Sequence, residues 1–217
     1  MTGMSVTTTR LLVLGAVGLF EPVNGYQIRR ELMSWQVDAW ASINPGSIYH
    51  ALRSLAGQGL LIDHTIGDGG RDVVVYELAE AGRVVLEDAI VAGVSEVNIY
   101  DRHAFQAAFG LLPMLDDRRA EAALRARRDA VRRAIGDVMP PEDGRVYAPP
   151  HALRSLALWK QFAEVELHWL DGVLADIASG ALSFEDTGRW APPADDPGYQ
   201  IVEDRERYRA ALHRAPN

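Results

Sequence analysis

Between Asn44 and Leu55 the chain reads Asn-Pro-Gly-Ser-Ile-Tyr-His-Ala-Leu-Arg-Ser-Leu, and two kinds of chemistry share that run. Asn44 offers an N-cap oxygen, and Pro45 takes the first helical position, where no amide donor is needed. Ile48, Leu52 and Leu55 then fall at i, i+4 and i+7 as one apolar stripe. Ser47, His50 and Ser54 recur near i, i+3 and i+7 on the other side, with Arg53 adjacent. This face is polar, short-armed and weakly cationic, which suits hydrogen bonding to base edges more than bulk attraction to phosphate. Arg53, Arg71 in the glycine-rich segment and Arg30 upstream are the candidate phosphate or base contacts. Each has a plainer reading: a solvated charge for Arg53 and Arg71, a pair with a neighbouring acid for Arg30. His50 either reads a guanine or simply stands in solvent.

Other chemistry is thin. The sequence holds no Gly-x-Ser-x-Gly, no phosphate loop and no His-Glu-x-x-His. Glu164 and His168 at i, i+4 are two metal ligands without a third, and read as surface or packing residues. The absence of cysteine excludes a disulfide framework, a thiolate nucleophile and Cys-ligated metal. Neither an enzyme nor a cofactor is expected. With 22 basic against 30 acidic residues the net charge is −8, so nucleic acid cannot be coated non-specifically and any duplex contact needs a local basic surface. The 48% hydrophobic and 24% charged content is that of an ordinary soluble protein. Leu11–Phe20 is the longest apolar run, well short of the roughly 20 residues a membrane helix needs. One positive charge precedes it and no small-x-small site follows, so a buried helix and a cytoplasmic, membrane-free protein are expected.

The elements that would position these residues follow from the punctuation. Thr8 or Thr9 caps a helix through Phe20, broken by Glu21-Pro22. Asn24-Gly25 opens a second helix carrying Tyr26, Ile28, Leu32 and Met33. The third runs from Pro45 and is ended by Gly57 and Gly59. Leu60–Ile66 and Val73–Leu78 flank Gly67-Asp68-Gly69-Gly70 as a hairpin. Trp35 and Trp40 lie between the second and third helices and either pack on the first or line a cavity.

Helices are expected from Glu80 and from Asp116-Asp117. Arg118, Arg119, Arg125, Arg127, Arg128, Arg132 and Arg133 on the latter, interleaved with acids, read as a solvated face laced with ion pairs. Pro140–Gly144 reads as a loop, and a long helix runs from about Ala152 to Ser179 and stops at Gly180. In that helix Trp159, Phe162, Glu166 and Trp169 recur at helical spacing, as a core or dimer interface or, more sharply, as an effector pocket for a flat or cationic molecule. Pro192, Pro193 and Pro197 mark a linker, with a short helix over 203–211.

The fold class is therefore mainly α with a small β-hairpin. An N-terminal winged helix-turn-helix spans 1–79, a C-terminal helical dimerisation and effector domain 80–180, and a Pro-containing extension 181–217. Three helices and a hairpin are the layout of winged DNA-binding domains, and occur in protein-binding modules as well.

The residues go further. Leu11-Leu12-Val13-Leu14-Gly15, Asn24-Gly25-Tyr26-Gln27-Ile28, Asn44-Pro45-Gly46-Ser47-Ile48-Tyr49-His50-Ala51-Leu52, Gly59-Leu60-Leu61 and Tyr76-Glu77-Leu78-Ala79-Glu80-Ala81-Gly82 resemble the PadR family of transcriptional regulators over about residues 8–90. The resemblance implies a homodimeric repressor that binds a near-palindromic double-stranded operator and lets go when a small, often aromatic effector binds. It also implies that the Tyr49 hydroxyl donates to a phosphate, against the alternative of a half-buried ring. For Tyr26 a DNA contact is set evenly against a packing role beside Gly25.

Two departures stand out. The family's basic wing is here Gly70-Arg71-Asp72-Val73-Val74-Val75-Tyr76, and His50 stands where the family often has proline. Residues 1–79 carry five arginines against seven acids, a balance of −2. That balance supports the alternative: a winged-helix interaction module that has lost DNA binding.

Overall fold

In the computed structural model, which describes residues 6–137, 148–184 and 199–214, helix α1 (Thr8–Phe20) is capped by Thr7 rather than by Thr8 or Thr9. Thr7 Oγ1 accepts the Arg10 amide at 3.4 Å. Leu11 through Val17 are all buried, so this helix is enclosed on every side instead of showing one apolar stripe. Helix α2 (Gly25–Ser34) opens on a reciprocal capping box. Asn24 Oδ1 accepts the Gln27 amide at 2.9 Å, and Gln27 Oε1 accepts the Asn24 amide at 3.1 Å. A short helix α3 (Val37–Trp40), absent from the sequence reading, precedes α4 (Pro45–Gly57). Trp35 lies 6.4 Å from Phe20 of α1, and its carbonyl accepts the Trp40 indole N–H at 2.9 Å.

Helix α4 starts as the sequence demands, with Asn44 Oδ1 accepting the Ser47 amide at 3.0 Å. Past its end Gly59 adopts φ +70°, a conformation that costs glycine little, and the chain turns into the sheet. Strands β2 (Leu61–Asp68) and β3 (Arg71–Leu78) are joined by Gly69-Gly70, both at positive φ as a tight hairpin turn requires. The register sets Leu61 opposite Leu78 and Asp68 opposite Arg71. The hairpin gains a third strand that the sequence did not announce: β1 (Val23–Asn24) pairs antiparallel with β3, in the order β1-β3-β2. Alternation places Val23, Leu61, Tyr76 and Leu78 on one face of the sheet and Asn24, Ile66, Val73 and Val75 on the other.

Helix α5 (Glu80–Ser95) follows directly, with the Ala79 amide donating to Leu60 O at 3.1 Å. The helical stretch then breaks, and α6 (His103–Phe109) and a 3₁₀ turn (Leu112–Met114) precede α7 (Asp117–Asp137), α8 (Pro150–Ser179) and α9 (Tyr199–Leu212). None of the helices among the described residues is long and apolar enough to cross a membrane. The Pro140–Gly144 loop and the Pro192, Pro193 and Pro197 linker expected from sequence lie outside the described residues.

Two compact units result. One holds the described residues up to Ile90 together with those from Tyr199 on; the other holds those from Val91 to Phe184. These divisions differ from the composition boundaries at 79 and 180, because α9 belongs with the N-terminal elements. In the first unit Val13, Leu14, Val17, Ile28, Leu32, Ile48, Leu52 and Leu55 are wholly buried. Tyr208 of α9 is buried with Ile66 and Val75, and Val73, Ala211 and Leu212 pack around them.

In the second unit α7 and α8 lie against one another, and Arg127 corrects the reading of α7 as a solvated arginine face. It is 1% exposed. Its Nε donates to Glu166 Oε1 at 2.7 Å, and its Nη1 donates to the carbonyls of Val94 and Glu96 at 3.1 and 2.9 Å. The guanidinium stacks 3.6 Å from the Phe105 ring centroid. Burial pulls its pKa below the ordinary arginine value, and the Glu166 carboxylate opposes that shift.

Candidate nucleic-acid interface

Helix α4 is held by one side and bare on the other. Ile48, Leu52 and Leu55 have no exposed surface, whereas His50 and Arg53 are exposed and Ser47 and Ser54 partly so. Ser47 Oγ donates to Asn44 O at 2.7 Å, which leaves its oxygen as an acceptor. Ser54 Oγ accepts from Gln58 Nε2 at 2.8 Å, and Gln58 Oε1 in turn accepts from Arg10. Ser54 is thereby engaged in a local network, and the outward set is Ser47, His50 and Arg53.

No ion pair engages Arg53 among the described residues. Its charge acts on Tyr76 of β3. Burial and then the Asp63 carboxylate raise the Tyr76 phenol above its ordinary pKa, with Arg53 pulling the other way. Tyr76 is thus a neutral phenol at the root of the hairpin beside Arg53. The sequence had used it only as a family match, and alternation along β3 was the available signal that it shares a face with the core.

Tyr49 is half-buried, and its ring stands over Gly25. A Cβ at position 25 would meet Tyr49 Cε1 at 3.1 Å and Leu52 Cδ1 at 3.3 Å. Gly25 therefore permits α2 and α4 to approach, and the Tyr49 ring packs on the start of α2. Tyr26 is 60% exposed, with the Arg29 guanidinium 5.9 Å from its ring centroid. Arg30 lies 3.3 Å from Glu31 Oε1, so it is already paired. Arg71 stands exposed at the hairpin tip and has no ion pair among the described residues. Asp68, opposite it in the ladder, is 3.1 Å from Arg207 Nη2 of α9. Arg207, Tyr208 and Asp204 escaped the sequence reading because nothing local ties α9 to the hairpin.

The effector candidates occupy the second unit, each against its own aromatic or cationic neighbour. Trp159 meets the Tyr100 ring edge-on at 4.6 Å. Trp169 meets Phe109 at 5.1 Å and Phe105 at 6.1 Å. Phe162 carries the Arg102 guanidinium 4.9 Å from its centroid. Leu158, Phe162, Val165 and Trp169 run along α8 as an exposed apolar stripe. Glu164 is 3.6 Å from Lys160, and among the described residues no cluster of three or more potential metal ligands occurs.

Residues 13–88 match the transcriptional regulator PadR-like family, a span from within α1 through the three following helices and the sheet into α5. No curated protein matches the chain. Among solved structures, the Bacillus subtilis PadR in complex with operator DNA aligns at 17% identity and a TM-score of 0.37, covering 79% of this chain and 98% of that one. Through residues 13–88, about a third of its length, this chain is similar to the PadR-like family of transcriptional regulators.

Proposed function

We propose that the chain is a cytoplasmic, homodimeric repressor that reads a near-palindromic duplex operator with α4 and the hairpin and is released by a small aromatic effector. The observation that carries this reading is α4 itself, clamped through Ile48, Leu52 and Leu55 with His50 and Arg53 bare. Ser47, His50 and Arg53 would address base edges, and Arg53 and Arg71 phosphates. Tyr26, Tyr49 and Arg30 flank this surface on α2 and α4. The exposed stripe Leu158, Phe162, Val165 and Trp169 is the surface for a second copy of the chain. A dimer would set two α4 helices about 34 Å apart, one turn of duplex.

Trp159, Phe162 and Trp169 would present their rings to the effector beside that interface. Release is then a population shift: an effector preferring a subunit geometry mismatched to the groove lowers DNA affinity by its differential affinity for the two states.

The test is selection of duplexes from a random pool, followed by titration at several salt concentrations. Arg53 and Arg71 in two subunits predict a log K against log salt slope of about −3.6, and recruitment of Arg30 away from Glu31 steepens it to about −5. A flat dependence overturns direct contact. It leaves the interaction-module reading, which the exposed Asp63 and Asp72 on the hairpin favour.

A further inference from the structure

The sheet face that turns away from the helical core carries Asn24, Ile66, Val73 and Val75, and α9 lies across it. Three kinds of contact fasten α9 there. At the start of α2, Gln27 Nε2 donates to Asp204 Oδ2 at 2.6 Å. At β1, Asn24 Nδ2 donates to the Tyr208 hydroxyl at 2.9 Å. Near the closing turn of the hairpin, Arg207 Nη2 lies 3.1 Å from Asp68 Oδ2. The same guanidinium also pairs with Asp204 Oδ1 at 2.8 Å. One helix thus ties the beginning of α2 to the tip of the wing.

We infer that α9 is a positioning element for the wing: it splints the hairpin and occupies Asp68, so that Arg71 stays available to a duplex. The second half of this inference rests on the DNA-binding reading above. Two physical arguments support it. A hairpin projecting from its domain is marginally stable unless a further layer covers its apolar face. Here Ile66 is 6% and Val75 0% exposed, in a cluster whose third buried member is Tyr208.

The charge argument concerns the register. Asp68 and Arg71 are direct cross-strand neighbours, an arrangement in which opposite charges attract. Asp68 instead faces Arg207, and Arg71 has no partner among the described residues. In a domain with a surplus of acids, a helix that neutralises the acid beside the wing-tip arginine changes what that arginine can meet.

The experiment uses the full-length chain, amide hydrogen exchange of the wing, and a duplex pool enriched by the wild-type protein. Tyr208→Ala should speed exchange in peptides covering 61–78 by about tenfold or more, and weaken duplex binding by a similar factor. Arg207→Gln, which removes an exposed ion pair and no buried ring, should speed wing exchange far less than Tyr208→Ala yet weaken binding by about three- to tenfold, and adding Asp68→Asn should restore binding. Unaltered wing exchange in Tyr208→Ala overturns the splint. Undiminished duplex binding in Arg207→Gln overturns the role assigned to Asp68. A wild-type chain that enriches no duplex, with wing exchange still dependent on Tyr208, overturns the DNA-binding reading and not the splint.

Discussion

Gln27 and Asp204, 177 positions apart in the chain, share a buried hydrogen bond of 2.6 Å. The Gln27 carboxamide works in two directions: its oxygen accepts the Asn24 amide in the capping box of α2, and its nitrogen donates to α9. Loss of the Asp204 carboxylate leaves a buried donor without an acceptor, which costs more than the net worth of the bond. Asp204→Ala should therefore destabilise the N-terminal unit by about 2 kcal/mol. Urea unfolding would show it as a lower midpoint, and an unchanged midpoint would mean that α9 is not docked in solution.

Gly82 meets the backbone and not a side chain. A Cβ built there would sit 1.9 Å from Leu60 O, a carbonyl already accepting the Ala79 amide. Neither α5 nor the turn before β2 can retreat without losing that hydrogen bond. Gly82→Ala should cost roughly 3 kcal/mol, at the upper end for overpacking. Gly57 faces open space in α4, so Gly57→Ala should be neutral or stabilising by up to about 1 kcal/mol. Thermal unfolding of the two variants side by side separates a steric effect from a general intolerance of alanine.

Local chemistry made much of this fold readable. Asn44-Pro45 and Asn24-Gly25 announced their helices because the capping oxygen and the donors it satisfies are neighbours in sequence. Gly69-Gly70 announced the hairpin because few residues tolerate positive φ. The stripe of Ile48, Leu52 and Leu55 marked the buried side of α4, and with it the outward side that carries His50 and Arg53. What stayed hidden depends on distant partners. Two residues of β1 have no pattern to show until β3 is beside them. Arg127 looks like its six arginine neighbours on α7 until Glu166 and two carbonyls surround it. The docking of α9 could not be read because its contacts, Arg207 with Asp68 among them, join segments 139 to 188 positions apart.

The Arg127–Glu166 pair offers an asymmetric test. Arg127 is almost fully buried, and Glu166 also accepts from Arg102 Nε at 3.3 Å. Removing the carboxylate alone leaves a buried guanidinium unpaired, so Glu166→Ala should destabilise the helical unit by about 3 kcal/mol or more. Arg127→Met combined with Glu166→Leu replaces both charges by apolar volume and should cost much less. If the single and double variants unfold at the same denaturant concentration, the pair contributes nothing specific.

The exposed stripe on α8 tests the dimer. Val165 is 69% exposed, and Leu158, Phe162 and Trp169 beside it are each more than two-fifths exposed. An aspartate at 165 meets only solvent within one chain, but between two copies it would bury an unpaired charge. Val165→Asp should therefore keep its helical content and sediment as a single 23.9 kDa chain, and on the proposed dimer the unaltered protein should sediment at twice that mass. Its affinity for a two-half-site duplex should fall by about a hundredfold or more, because the second half-site is no longer tethered to the first. A variant that sediments like the parent would place the contact between copies elsewhere, and the effector rings along α8 would then have no interface to sense.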